Sequence, residues 1–288
     1  MGEVTVTGHR TPDDEMVRTV IAPFVANHAA RDRVSGLLVR APPQGLCPVT
    51  LGMPQAFDDF VTRRITEVAG QVGAIVEPAG KCHANVEVLF TTDPQRIINA
   101  LAKQTGGQIL GMHFVGETGR LSHVSRPVQA WYITGTSGDS CSQDKRIGPD
   151  GTVDSEHAHV RVDQAYHGAL DTGTGSLVPP RNRSQFVNVL IVADAAKLAG
   201  HEIGPIADYM AMLALSQARS LDACSPLPSI LDLMATGCSS LPPPRSLTDN
   251  DLAFLKALYA ADPSVSGNMA RTQVAHDMAK DIAPPTKP

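Results

Sequence analysis

The chain has 288 residues, 42% of them hydrophobic, enough for one large domain or two small ones that fold without a metal or a partner. It carries 24 basic and 29 acidic residues, a net charge of -5, and no basic stripe. Seven Phe, four Tyr and one Trp are too few for base-stacking platforms, so nucleic-acid binding is disfavoured on both counts. No apolar run reaches the ~18 residues of a membrane span.

The first ten residues lack a basic region followed by an apolar stretch, so they are expected to be a mature N-terminus rather than a leader. Residues 1–45 read as an irregular arm, with an edge strand at 5–7 and a short strand at 34–39. Between 54 and 73, Phe57, Phe60, Val61, Ile65, Val68 and Val72 recur at helical spacing. Residues 85–92 alternate and then run apolar, as a strand does. Asp93 and Pro94 follow as cap and first helical residue of a helix ending near Gly106. Residues 128–134 read as a strand, 135–152 as a long polar loop, and 157–162 as an edge strand. The most hydrophobic strand, 185–194, belongs at the centre of a sheet. An apolar helix is expected over 205–218. A last one starts at Thr248, where Thr248 and Asp251 form a capping box. This order gives an α+β fold in three parts: an irregular N-terminal arm (1–45), one α+β domain (46–262), and a C-terminal helix and tail (263–288).

None of the five cysteines forms a C-x-x-C pair. Cys47 and Cys82 bracket the first predicted helix, and Cys224 and Cys238 bracket a Pro-rich segment. Two disulfides, Cys47–Cys82 and Cys224–Cys238, are expected, each stabilising by about 3–4 kcal/mol. Cys141 is left unpaired. Such bridges place the protein in the periplasm or outside the cell.

Four stretches could carry chemistry. The segment His201-Glu-Ile-Gly-Pro-Ile-Ala-Asp-Tyr209 resembles the zinc-binding helix H-E-x-x-H-x-x-G-x-x-H of the metzincins. That chemistry needs two histidines at i and i+4, a third ligand, and a Glu as general base. His201 and Glu202 match. Pro205, Asp208 and Ala211 stand where the second histidine, the glycine and the third ligand belong. Pro205 fits best as the first helical residue, which leaves His201 and Glu202 on the preceding loop. Asp208 then falls in the first turn, where capping and the helix dipole account for it. No complete zinc site is expected. The alternative is a metal-dependent hydrolase with His201 and Asp208 as ligands and Glu202 as general base.

His157 and His159 share one face of a strand, and His167 or Glu156 could complete a metal site with them. Asp171-Thr-Gly173 looks like the aspartic-protease triplet, but the chain has no second copy to share a proton with it, so a turn is expected. No G-x-S-x-G, phosphate loop or dinucleotide fingerprint occurs.

The resemblance extends further. Residues 247–259, opening on a capped acidic turn and closing on Leu258-Tyr259, are similar to the C-terminal helix of matrix-metalloprotease-type zincins. Ile206-Ala-Asp-Tyr-Met-Ala-Met-Leu-Ala-Leu215, Ser229-Ile-Leu-Asp-Leu233 and 247–259 together resemble a proteobacterial family of exported proteins, some described as lipoproteins. Leu46-Cys47-Pro48, Leu51-Gly52, the strand at 85–90 and Asp93-Pro94 fit the same group. The likeness covers about two-thirds of the chain, from Leu46 to Tyr259. It implies a zincin-like domain, a mixed sheet with packed helices, whose zinc motif is degenerate. The implied role is a binding or structural module of the cell envelope, without a cofactor, whose partner would be an envelope protein or peptide. Zinc belongs only to the hydrolase alternative.

Overall fold

A computed structural model describes residues 12–78, 82–112, 114, 116–137, 182–221, 224–235 and 243–282. The architecture is α+β, with one mixed five-stranded sheet covered by helices on both faces.

The N-terminal segment departs from the expected irregular arm. It runs as α1 (Pro12–Met16), a π-turn (Val17–Ile21) and α2 (Ala22–His28) in one helical stretch. Ile21, Phe24, Val25 and His28 are all buried, at the i, i+3, i+4 spacing of a helix laid on a core. Pro23 lies inside this continuous stretch, just after the π-turn, and takes one N–H out of the helical ladder there. The strand expected over 34–39 shrinks to β1 (Val39–Arg40). Its first residues are drawn into a turn by Asp32, whose Oδ1 accepts from the Val34 N–H at 3.0 Å and the Ser35 N–H at 2.7 Å. The expected strand at 5–7 lies outside the described residues.

Next comes a β–α–β unit: β2 (Pro48–Leu51), α3 (Gln55–Gln71) and β3 (Val86–Thr91), with β2 and β3 parallel. α3 buries Val61, Ile65, Val68 and Ala69 against the sheet. Gly52, at φ +106°, is required after β2 because a Cβ there would meet the Phe90 carbonyl. α4 (Pro94–Thr105) has the expected ends: Asp93 Oδ1 accepts from the Arg96 N–H at 3.1 Å, and left-handed Gly106 closes it. After the short α5 (Thr118–Leu121) come β4 (Val128–Ser137) and β5 (Arg183–Asp194).

β5 is the centre of the sheet. β4 pairs antiparallel along almost its whole length, β3 runs parallel beside residues 189–194, and β1 pairs at 184–185. Val189, Ile191 and Ala193 face the larger core with α2, α3 and the C-terminal helices. Leu190 and Val192 face a smaller core with Ile98, Ala102 and Trp131.

The chain continues through α6 (Ile203–Leu215), a 3-10 turn (Ile230–Met234), α7 (Asp249–Ala260) and α8 (Gly267–Ile282). α6 starts two residues before Pro205 and ends at Leu215. Pro205 is tolerated because the N–H groups of a helix's first turn have no intrahelical partner. At the other end, extended Ser216 turns its N–H and hydroxyl back onto the Met212 carbonyl. The Thr248–Asp251 capping box opens α7 as expected. Among the described residues no helix is long and apolar enough to cross a membrane.

Candidate functional site

The three stretches that carry the resemblance form one physical unit. α6 is buried on every side from Ile206 to Leu215. The 3-10 turn carries Ser229-Ile-Leu-Asp-Leu233 and buries Ile230 and Leu231 in the same core. Asp251 binds this turn to the start of α7. Its carboxylate accepts from Ser229 Oγ at 2.6 Å, the Ile230 N–H at 2.8 Å, and the Thr248 N–H and Oγ1 at 2.9 and 2.8 Å. Burial pushes this carboxyl above its ordinary range despite those donors.

Asp208 does not cap its helix. It lies beyond the first turn, buried, and its Oδ1 accepts from Arg64 Nε on α3. Its Oδ2 accepts from the Leu247 N–H at 2.9 Å, just ahead of α7. The hydrogen bond to Asp208 raises the Arg64 pKa above its ordinary value, outweighing desolvation. One carboxylate thus braces α3, α6 and the entry to α7. Arg64 was not among the sequence candidates. It lies 144 residues from Asp208, and no local pattern connects them.

His201 and Glu202 are exposed and precede the helix. Gly200, at φ +86°, turns the chain there, and Glu202 is the extended N-cap residue, making no side-chain capping bond. Asp208 is therefore held inside the core while His201 and Glu202 face water. This arrangement does not fit a catalytic zinc, which takes three protein ligands. The segment offers one imidazole, and its only buried carboxylate is bound by a guanidinium and an amide. Among the described residues no three His, Cys, Asp or Glu side chains group as metal ligands do. His157, His159 and His167 lie outside the described residues, as do Glu156 and the Asp171 triplet.

Tyr209, beside Asp208, is fully buried with its hydroxyl unpartnered, and burial pushes its pKa up to about 12. Cys47 and Cys82 are joined, with Cα atoms 5.9 Å apart. Cys224 is also disulfide-bonded. Cys141 and Cys238 lie outside the described residues. Comparison of the chain with protein families, curated proteins and solved structures finds no match.

Proposed function

We propose that the protein is an exported, zincin-like module of the cell envelope that binds or supports a partner and carries no catalytic zinc. The observation that carries this reading is Asp208. The metal-dependent alternative needs this carboxylate as a ligand beside His201; here it is turned inward to Arg64 and the Leu247 N–H. A helix used as a brace replaces a helix used as a ligand platform.

Three further features support it. The order β4, antiparallel to β5, then β5 and then α6 is compatible with a zincin-like half-domain. The motif segments 206–215, 229–233 and 247–259 pack together. Disulfide-bonded Cys47, Cys82 and Cys224 suit an oxidising compartment, the periplasm or the cell exterior. The partner on this reading is an envelope protein or peptide.

The test is zinc titration of metal-free protein alongside His201→Ala and Glu202→Ala, with peptide hydrolysis followed in parallel. The expected result is no micromolar site that depends on His201. Micromolar binding that disappears in His201→Ala would overturn this reading, and peptide hydrolysis lost in both variants would favour the metal-dependent hydrolase with Glu202 as its base.

A further inference from the structure

Three arginines meet on the surface where α2 ends and α8 begins. Arg271 on α8 donates through Nε and Nη2 to the carbonyl of Ala29, the residue that closes α2. Arg31 comes two residues later. Its stem occupies the space a Cβ on Gly267 would need, and its Nη1 donates to Asn268 Oδ1 at 2.8 Å. Arg219 arrives from the loop after α6, where its N–H donates to the Asn27 carbonyl at 2.7 Å. The Gly267 N–H donates to the Gly36 carbonyl at 3.2 Å, so the turn that bears Val34 abuts the start of α8. We infer that this surface docks on a membrane carrying anionic phospholipid, with the arginines on headgroup phosphates and Met269 and Val34 entering the acyl boundary.

The first support is an imbalance of charge. Among the described residues no carboxylate stands within ion-pair distance of Arg31, Arg219 or Arg271, in a chain whose net charge is -5. The Ala29 carbonyl, at the negative end of the α2 dipole, offsets part of one charge only. The Arg219 guanidinium is exposed and makes no hydrogen bond to a described residue. Burial, and then the charges of Arg31 and Arg219, lower the Arg271 pKa to about 10, so both neighbours repel it as they stand. The first turn of α8 adds to the positive field. It holds no acidic residue, and the N–H groups of Asn268 and Met269 have no partner among the described residues. Phosphate groups relieve each of these features.

The apolar side chains decide between a lipid surface and a soluble phosphate. Met269 is the most exposed large hydrophobic side chain among the described residues, at 65%, and Val34 stands at 54%. A soluble phosphate leaves both in water, whereas a bilayer takes up apolar side chains flanked by arginine at the depth of its headgroups. This surface uses none of the residues compared with a zinc site, so either reading can fail without the other.

The test is sedimentation of the full chain with vesicles of phosphatidylcholine, alone or mixed with phosphatidylglycerol. Binding is expected to the mixed vesicles only, and it should weaken as salt rises. Arg219→Ala removes a side chain with no partner in the fold and is expected to weaken binding about five-fold. Met269→Ser is expected to weaken it as well, while Arg96→Ala, which removes an exposed arginine on α4, leaves it unchanged. Inorganic phosphate, matched to the lipid phosphate, is expected not to displace the protein. Four results would each overturn the inference. They are equal or absent binding to the two kinds of vesicle, an Arg96→Ala loss as large as that of Arg219→Ala, binding unchanged in Met269→Ser, or displacement by inorganic phosphate.

Discussion

Tyr259 Oη donates to the Leu215 carbonyl at 2.9 Å, tying the last turn of α7 to the end of α6. The same oxygen accepts the Ala41 N–H at 3.2 Å, just past β1. Burial raises the phenol pKa well above its ordinary value, so it stays a donor at any working pH. Tyr259→Phe should cost about 1–3 kcal/mol by stranding a carbonyl and an amide. Tyr259→Ala should cost roughly 3–5 kcal/mol, and Leu255→Ala, fully buried on the same helix, about 2–5 kcal/mol. Urea unfolding measures all three; losses under about 0.5 kcal/mol would make α7 peripheral.

The Arg64–Asp208 brace should behave as a buried pair. Removing one partner strands the other, so Arg64→Met, which leaves the buried Asp208 carboxylate with the Leu247 N–H alone, is expected to cost about 3–5 kcal/mol. Asp208→Ala should cost less, because the Arg64 it leaves is 28% exposed and keeps water and Glu67 within reach. A double-mutant cycle with the two substitutions should give a coupling of about 0.5–3 kcal/mol. Strict additivity would mean that the pair does not hold α6 in place.

Acid should weaken the fold through His28. Burial holds its pKa below 6.5, with the Phe24 carbonyl, Asp251 and Asp232 acting the other way. Its ring stacks on Phe24 at 4.0 Å. Between the folded value and 6.5 the unfolded chain binds more protons, so stability rises with pH across that window. The His28 contribution is therefore complete above pH 6.5 and is lost as the pH falls below it. Asp251 has the opposite slope at lower pH, because its raised pKa favours folding in the protonated form. The urea midpoint should fall between pH 7.5 and 5.5, and His28→Gln should flatten that fall.

The disulfides have separable consequences. Cys47–Cys82 closes a 35-residue separation, for which loop entropy gives about 4 kcal/mol. Replacing both cysteines by Ala should remove most of it, as read by urea unfolding. Non-reducing peptide mapping should find Cys224 joined to Cys238 and a free thiol at Cys141. Cys224 joined to Cys141 instead would overturn that pairing.

Local chemistry was legible in the sequence wherever a segment carried its own end signals. α4 is bounded by Asp93, Pro94 and Gly106, and α7 opens on Thr248 and Asp251, so both were found with their caps. β5 announced itself as a continuous apolar run because both of its faces are covered. β2 was not anticipated, since four residues beginning with proline offer no alternation to read. The helices of 12–28 were hidden by their prolines, although Ile21, Phe24, Val25 and His28 kept helical spacing. α6 is apolar on every side, so its periodicity did not reveal which neighbour Asp208 would meet. Arg64 was missed because only the packing of α3 on α6 brings it to Asp208.

The covalent loop of Cys47 and Cys82 also sets an order of assembly. It encloses β2 and α3 and closes just before β3, so every part of that unit leaves the ribosome well ahead of β5. Once oxidised, this loop holds the start of β2 near the approach to β3 whether or not the central strand has paired. β5 then docks onto a template whose β2–β3 register is already locked, leaving long-range strand pairing as the slow event. Until it does, the open edge of β3 is the surface most exposed to misassociation.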